Sequence, residues 1–342
     1  LVCLICQCET GQTHSVREMM FGTREVFHYF ECDLCSCLSL RDPPNDLSQY
    51  YPAEKYYSLG ATRSTLVPRN EFRRWLKKYR DRAACLNRGG VAGFIANRYP
   101  NEDASVWRNW LRHTSVKSHS ARILDVGCGQ GWHLSQLDAL GFINLTGVDP
   151  YLREDDCSGP VKIHACQLSE LSDSGFDLIT LHHALEHVPN QLDTLHQISR
   201  KLAPDGHCMV RIPIVSRGPW KTYGTDWAEI DAPRHFVLHT EMSLKLAAEQ
   251  AGLSIRCIQY ESDIFTYAAS ELYRRNLSLY DDTQNRQRPL ASVFDSAELQ
   301  QFESMSRAHH IPAWAGRAAF FLTRTSSGEG SGRHEIYSDL RR

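Results

Sequence analysis

The stretch Ala121–Gly131, ARILDVGCGQG, decides the fold. Ile123-Leu124-Asp125-Val126 is a short apolar run with β-branched residues and reads as a buried strand. Gly127-Cys128-Gly129-Gln130-Gly131 then reads as a tight turn from that strand into a helix. Glycines there let the backbone approach a ligand where a Cβ would collide, and the helix that follows points its free amides and positive dipole end into the same space. A second strand, Ile143 to Val148, ends at Asp149, whose carboxylate is placed to accept both hydroxyls of a ribose. The pattern predicts a doubly wound α/β sheet that binds a nucleoside-containing ligand.

The dinucleotide fingerprint G-x-G-x-x-G requires a small third residue, and counting from Gly127 that position holds Trp132, which disfavours a nicotinamide cofactor. Asp125, just before the first glycine, suits a ligand with a positive amino group or sulfonium better than a pyrophosphate. On these residues the chain resembles the class I S-adenosylmethionine-dependent methyltransferases. The resemblance implies a Rossmann-like, seven-stranded sheet. It also implies that the turn from Asp125 to Gly131, with Gly127, Gly129 and Gly131, holds the methionine part of S-adenosylmethionine, and that Asp149 holds its ribose.

The chain has 342 residues, 42% hydrophobic and 23% charged, enough for one large domain and a small one. A net charge of −2 gives no whole-molecule field favouring nucleic acid or an anionic membrane. No apolar run is long enough to span a bilayer. The opening LVCLICQC is short and lacks a basic flank, so it does not read as a signal peptide.

Six of the twelve cysteines crowd the N-terminus as Cys3-x-x-Cys6-x-Cys8 and Cys32-x-x-Cys35-x-Cys37. Two C-x-x-C knuckles give four thiolates that can surround one Zn²⁺ tetrahedrally, so Cys3, Cys6, Cys32 and Cys35 are expected ligands of a structural zinc ribbon. Cys8 and Cys37 are spare, with swapped ligation by either still open. Two disulfides are the competing reading, but a chain that needs a cytosolic cofactor belongs in a reducing compartment, and a cytoplasmic location is expected. The ribbon is placed at 1–48, a linker and helical cap at 49–120, the methyltransferase domain at 121–325 and a disordered tail at 326–342. Within the ribbon, Glu25 to Glu31 can make one hairpin arm. The tyrosine-rich segment from Gln49 to Tyr57 resembles the piece that follows the ribbon in a bacterial-type subgroup found in polysaccharide and natural-product pathways. A helix is expected from Asn70 to Arg88, where seven basic residues between Arg69 and Arg82 read as a solvated face or as a patch for a phosphorylated substrate.

Further strands are expected at Val161–Cys166, Phe176–His182, His207–Pro213, Leu253–Tyr260 and Ala318–Thr323. Helices are expected at Gln191–Leu202, closed by Pro204-Asp205-Gly206, and at Glu241–Gly252. By resemblance, Gln167 and Leu168 occupy the adenine position, and His182 with the turn that follows it faces the transferable methyl. His183-Ala184-Leu185-Glu186-His187 also fits the inverted zinc-protease pattern H-x-x-E-H, but it begins at a strand end and meets Pro189, so only a short helix is available.

The loop Trp220–Thr240 resembles the subgroup's Asp-x-Pro-Arg-His signature and is expected to shape the acceptor site. His235 is the first candidate base and His183 the second. Tyr223, Trp227, Asp231 and Arg234 are candidate substrate contacts, with an ion pair to Asp231 as the competing role for Arg234. A helical insertion at 264–312 carries Tyr267, Tyr273, Arg274, Arg275 and Tyr280 toward the substrate. The expected function is methyl transfer to oxygen, nitrogen or carbon of a small molecule, sugar or nucleotide sugar, by a monomer or homodimer that needs no nucleic acid or membrane. The alternatives are an RNA methyltransferase using the ribbon and basic helix, and a non-catalytic scaffold.

Overall fold

A computed structural model describes residues 2–51, 79–86, 94, 98, 99, 101–157, 159–281 and 286–325. The main sheet is built from β4 (Arg122–Val126), β5 (Asn144–Val148), β6 (Val161–His164), β7 (Phe176–His182), β8 (Leu202–Pro213), β10 (Leu253–Glu261) and β13 (Arg317–Arg324). Their order is β10-β13-β8-β7-β4-β5-β6. The five strands from β4 to β8 run parallel, and β13 alone is antiparallel to its neighbours β8 and β10. This is the doubly wound α/β sheet that the glycine turn predicted, with the seven strands that the resemblance implied.

Apolar residues next to each other in sequence serve opposite faces of the sheet, as expected where helices cover both sides. Ile123 packs with Trp107, Leu134 and Leu137 from the helices Glu102–Leu111 and Trp132–Ala139. Leu124 packs on the other side with Leu195, Ile198, Leu244 and Ala247 from the helices Gln191–Lys201 and Glu241–Gln250. Chain order reverses between β4 and β7, so their carboxyl ends open the crevice where ligands bind in such sheets.

Two expectations need correction, the helix end at Pro204-Asp205-Gly206 and the direction of the insertion's tyrosines. β8 already begins at Leu202, so Pro204-Asp205-Gly206 lies inside the strand span, where the register with β7 shifts, instead of closing a helix. The insertion is two helices, Ile264–Arg274 and Ser296–Ala308, separated by the short pair β11 (Tyr280–Asp281) and β12 (Arg286–Gln287). Its tyrosines face inward: Tyr267, Tyr273 and Tyr280 are buried, and the Leu279 and Tyr280 amides donate to the Met19 and Met20 carbonyls. The Asn70–Arg88 helix, the tyrosines beyond Tyr51 and the tail at 326–342 fall largely or wholly outside the described residues, of which 79–85 are helical.

The N-terminal module is a second sheet, ordered β1 (Gly11–Arg17), β2 (Val26–Cys32), β3 (Leu38–Leu40) and β9 (Val237–Leu238). Its fourth strand comes from the loop after β8, through the antiparallel pairs Leu38↔Leu238 and Ser39↔Val237. The boundary drawn at residue 48 is therefore crossed by a sheet. The seam is reinforced by Tyr29 Oη donating to the His235 carbonyl at 2.8 Å and Thr240 Oγ1 donating to the Cys35 carbonyl at 2.6 Å. At its centre Arg234 is wholly buried, donating to Glu18 Oε1 at 3.0 Å and to Asp231 Oδ1 at 2.6 Å. Among the described residues no helix is long and apolar enough to cross a membrane.

Removing one member of a buried, hydrogen-bonded ion pair strands the other charge. Arg234→Met is expected to lower stability by about 3–5 kcal/mol, checked by urea unfolding; a loss below about 1 kcal/mol, the range of exposed pairs, would contradict this role.

Candidate functional site

The crevice is lined first by the glycine turn. Gly127, Gly129 and Gly131 have φ of 71°, 51° and 76°, the left-handed region that side chains avoid. A Cβ on Gly127 would stand 2.6 Å from Ala184 Cβ, so the turn lies tightly against the segment that follows β7. Gly131 starts the helix Trp132–Ala139, leaving its first amides toward the crevice, and Trp132 is exposed. Asp149, buried at the tip of β5, accepts from the Gly129 amide through Oδ2 and from the Tyr151 amide through Oδ1, both at 2.9 Å. A carboxylate has about four acceptor positions, so two amides leave room for ribose hydroxyls. Asp125 is buried and accepts from Thr180 Oγ1 at 2.7 Å. Desolvation pushes its carboxyl up to about 7, against the Thr180 hydrogen bond and with a smaller push from the Asp149 charge. Leu168 is buried and Gln167 exposed, its amide donating to Glu170 Oε2 at 2.7 Å.

His182 and His183 turn to different surroundings. The buried His182 ring stacks on His133 at 4.0 Å and lies against Trp110, with neither nitrogen hydrogen-bonded among the described residues. Its desolvation, with His133 beside it, holds it neutral. His183 sits at φ 50° with both nitrogens engaged. Arg211 Nη1 is a permanent donor 2.5 Å from its Nε2, which must therefore accept, and its Nδ1 faces Glu186 Oε1 at 3.2 Å. His183 thus has no lone pair to offer. The segment after it is only a three-residue 3₁₀ turn, Leu185–His187, so the H-x-x-E-H pattern does not form the helix that a protease would need.

His235 is buried, with Nδ1 at 2.9 Å from the Glu229 carbonyl. A carbonyl only accepts, so Nδ1 carries the proton and Nε2 keeps its lone pair. That Nε2 lies 3.9 Å from Asp231 Oδ2. Desolvation lowers its basicity and keeps the ring neutral, although Asp231 opposes the shift. His187 repeats the geometry, its Nδ1 lying 3.1 Å from the Arg234 carbonyl and 3.0 Å from Tyr51 Oη. Burial holds it down to about 3. In sequence His187 and Glu186 carry no site signal of their own beyond the H-x-x-E-H pattern, which the short turn here does not fulfil.

The four proposed substrate contacts are drawn into the loop's own packing. Trp227 is 1% exposed, Tyr223 is buried beneath Arg274 at 4.6 Å, and Arg234 and Asp231 hold each other. Of the two roles open to Arg234, the geometry shows the ion pair.

At the N-terminus, Cys3 Sγ lies 3.6 Å from Cys35 Sγ and Cys6 Sγ lies 3.4 Å from Cys32 Sγ, with all four sulfurs within 4.8 Å of one another. A tetrahedral site with Zn–S near 2.3 Å has edges of about 3.8 Å, so the donor set fits zinc. Cys37 Sγ stands beside it, 3.6 Å from Cys3 and 3.5 Å from Cys35, whereas Cys8 turns to Thr10 Oγ1 at 3.3 Å.

Comparison with known proteins gives a match between residues 69–258 and a family model described as "Methyltransferase domain". In structure the chain is similar to an S-adenosylmethionine-dependent methyltransferase from Mesorhizobium loti, at 16% identity and a TM-score of 0.40 over 64% of this chain and 97% of that one. It is also similar to the cyclopropane synthase MmaA2 from Mycobacterium tuberculosis, at 13% identity and a TM-score of 0.42 over 76% of this chain and 100% of that one.

A carboxyl whose folded pKa is raised binds its proton more tightly when folded, so its contribution is complete below the ordinary carboxylate range and is lost as pH rises to the folded value. For Asp125 that window runs from the ordinary value of 3.8 to about 7. Subtracting the stability profile of Asp125→Asn from that of the wild type should leave a decline across this window and a plateau above it. A flat difference in denaturation series would contradict the assignment.

Proposed function

We propose, from the premise that this chain belongs to the methyltransferase-domain family, that it transfers the methyl of S-adenosylmethionine to a small-molecule or sugar acceptor held beneath the loop Trp220–Thr240. The observation that carries the reading is the Asp149 carboxylate bound to the Gly129 amide, which joins the tip of β5 to a glycine turn where a Cβ cannot be accommodated. When bound, the cofactor supplies an electrophilic methyl on a sulfonium. Asp149 has acceptor positions left for the ribose hydroxyls, the turn from Gly127 to Gly131 offers backbone amides to the methionine carboxylate, and Asp125 offers a carboxylate to the amino group. Gln167 and Leu168 flank the adenine.

In-line transfer depends on holding the acceptor and methyl aligned and dry. The buried segment from Trp227 to His235 supplies the dry wall, and the Nε2 lone pair of His235 can receive the proton of an alcohol or amine. His183 could do so only after releasing Arg211. Cys3, Cys6, Cys32 and Cys35 hold a Zn²⁺ with no open position, which makes that site structural. Four zinc-held thiolates and eight further cysteines outside disulfides suit a reducing compartment, in line with a cytoplasmic enzyme.

Calorimetric titration of the zinc-loaded protein with S-adenosylmethionine and S-adenosylhomocysteine should show one site per chain, lost in Asp149→Ala. No heat and no thermal shift with either ligand would overturn the enzyme reading and leave a scaffold.

A further inference from the structure

Behind the loop, Glu186, His187 and His235 each present a ligand atom within 4.8 Å of the other two. Glu186 comes from the 3₁₀ turn after β7. Its Oε1 faces His183, while its Oε2 is buried and has no hydrogen-bond partner among the described residues. An unpaired buried carboxylate oxygen is costly, and a cation is one way to satisfy it. The two imidazoles are fixed by backbone carbonyls on their Nδ1 sides, Arg234 for His187 and Glu229 for His235, which is the outer-shell arrangement that sets a metal-binding tautomer. Their rings meet edge to face at 4.6 Å, and the Phe236 amide donates to the Glu186 carbonyl at 2.8 Å, stitching the two segments together. Nearby arginines are already neutralised: Arg234 by Glu18 and Asp231, Arg211 by Glu261, and Arg317 by Glu229 and Asp263. No free guanidinium among them opposes a second cation.

We propose that Glu186, His187 and His235 bind a divalent first-row transition cation, with two imidazoles and one carboxylate on one face and open positions toward the acceptor. Two nitrogens and one oxygen suit iron(II), manganese(II) or cobalt(II), whereas the four cysteines select zinc. The site rests on the methyltransferase reading and narrows it to acceptors with an oxygen that can coordinate. The Ala184 contact with Gly127 places the segment carrying these ligands against the cofactor turn. With the cation bound, His235 is a ligand, and coordination itself acidifies the acceptor hydroxyl. The hydroxyl proton leaves to water, the oxygen lone pair forms the O–C bond, and the C–S bond breaks with its electron pair going to sulfur.

The test is Mn²⁺ titration of the full-length, zinc-loaded protein, following the free-ion signal by electron paramagnetic resonance. One Mn²⁺ per chain is expected, weakened by more than about tenfold in both Glu186→Gln and His235→Ala, with S-adenosylhomocysteine binding retained as the check on folding. The wild-type stoichiometry decides even where a variant fails to fold. Absence of bound Mn²⁺, together with no metal beyond one zinc per chain by elemental analysis of protein loaded with Fe²⁺ or Co²⁺, overturns the proposal. If S-adenosylhomocysteine still binds in that case, the methyltransferase reading stands and His235 reverts to the role of base; if it does not, both fall.

Discussion

The arrangement of the loop from Trp220 to Thr240 depends on the pairing of β3 with β9. Two residues of a loop that follows the fifth parallel strand become the edge of a sheet whose other strands carry the cysteine knuckles. Glu186, His187 and His235 each lie within a few residues of that seam or are bonded to residues that do. His235 stands two positions before β9, with its carbonyl held by Tyr29, and Glu186 is held by the amide of Phe236. Thr240, just after β9, donates to the carbonyl of the proposed zinc ligand Cys35. The cysteine site is thereby joined to the candidate chemistry by covalent chain and hydrogen bonds across a few residues.

Burial then sets the electrostatics. Three arginines inside or beside the loop each have carboxylate partners, so the charges that stiffen it are cancelled locally. The histidines are stripped of water and kept neutral, and backbone carbonyls choose which nitrogen keeps a lone pair. Glu186, pushed up to about 8 mainly by desolvation, is the carboxyl of this group with an oxygen left over. Neutral lone pairs and a carboxyl facing one point make a surface suited to accepting protons or cations.

The sheet was legible in the sequence because its signals are local. An apolar run before a glycine turn, an acid at a strand tip and a Phe-Asp strand each report on their own few residues, and Phe176–His182 appears with the expected bounds. The glycine turn and the acid at the tip of β5 were legible for the same reason, since Gly127, Gly129, Gly131 and Asp149 act through backbone geometry fixed nearby. The packing of the loop from Trp220 to Thr240 was not. Arg234 reads as a substrate contact until Glu18, 216 positions away, is seen beside it. Val237-Leu238 gives no strand signal of its own, because two residues become a strand only when β3 is there to pair with them. His187 and Glu186 gain meaning only from His235, which lies far along the chain.

Hydrogen–deuterium exchange on the S-adenosylhomocysteine-bound protein, before and after a chelator removes the zinc proposed for the four cysteines, tests the coupling between the module and the loop most directly. Loss of the metal should open amides in β1 to β3 and, together with them, those from Ala228 to Thr240, while β4 and β7 stay protected. Retained protection in the loop after the module has opened would show that the two are independent, and would contradict the account.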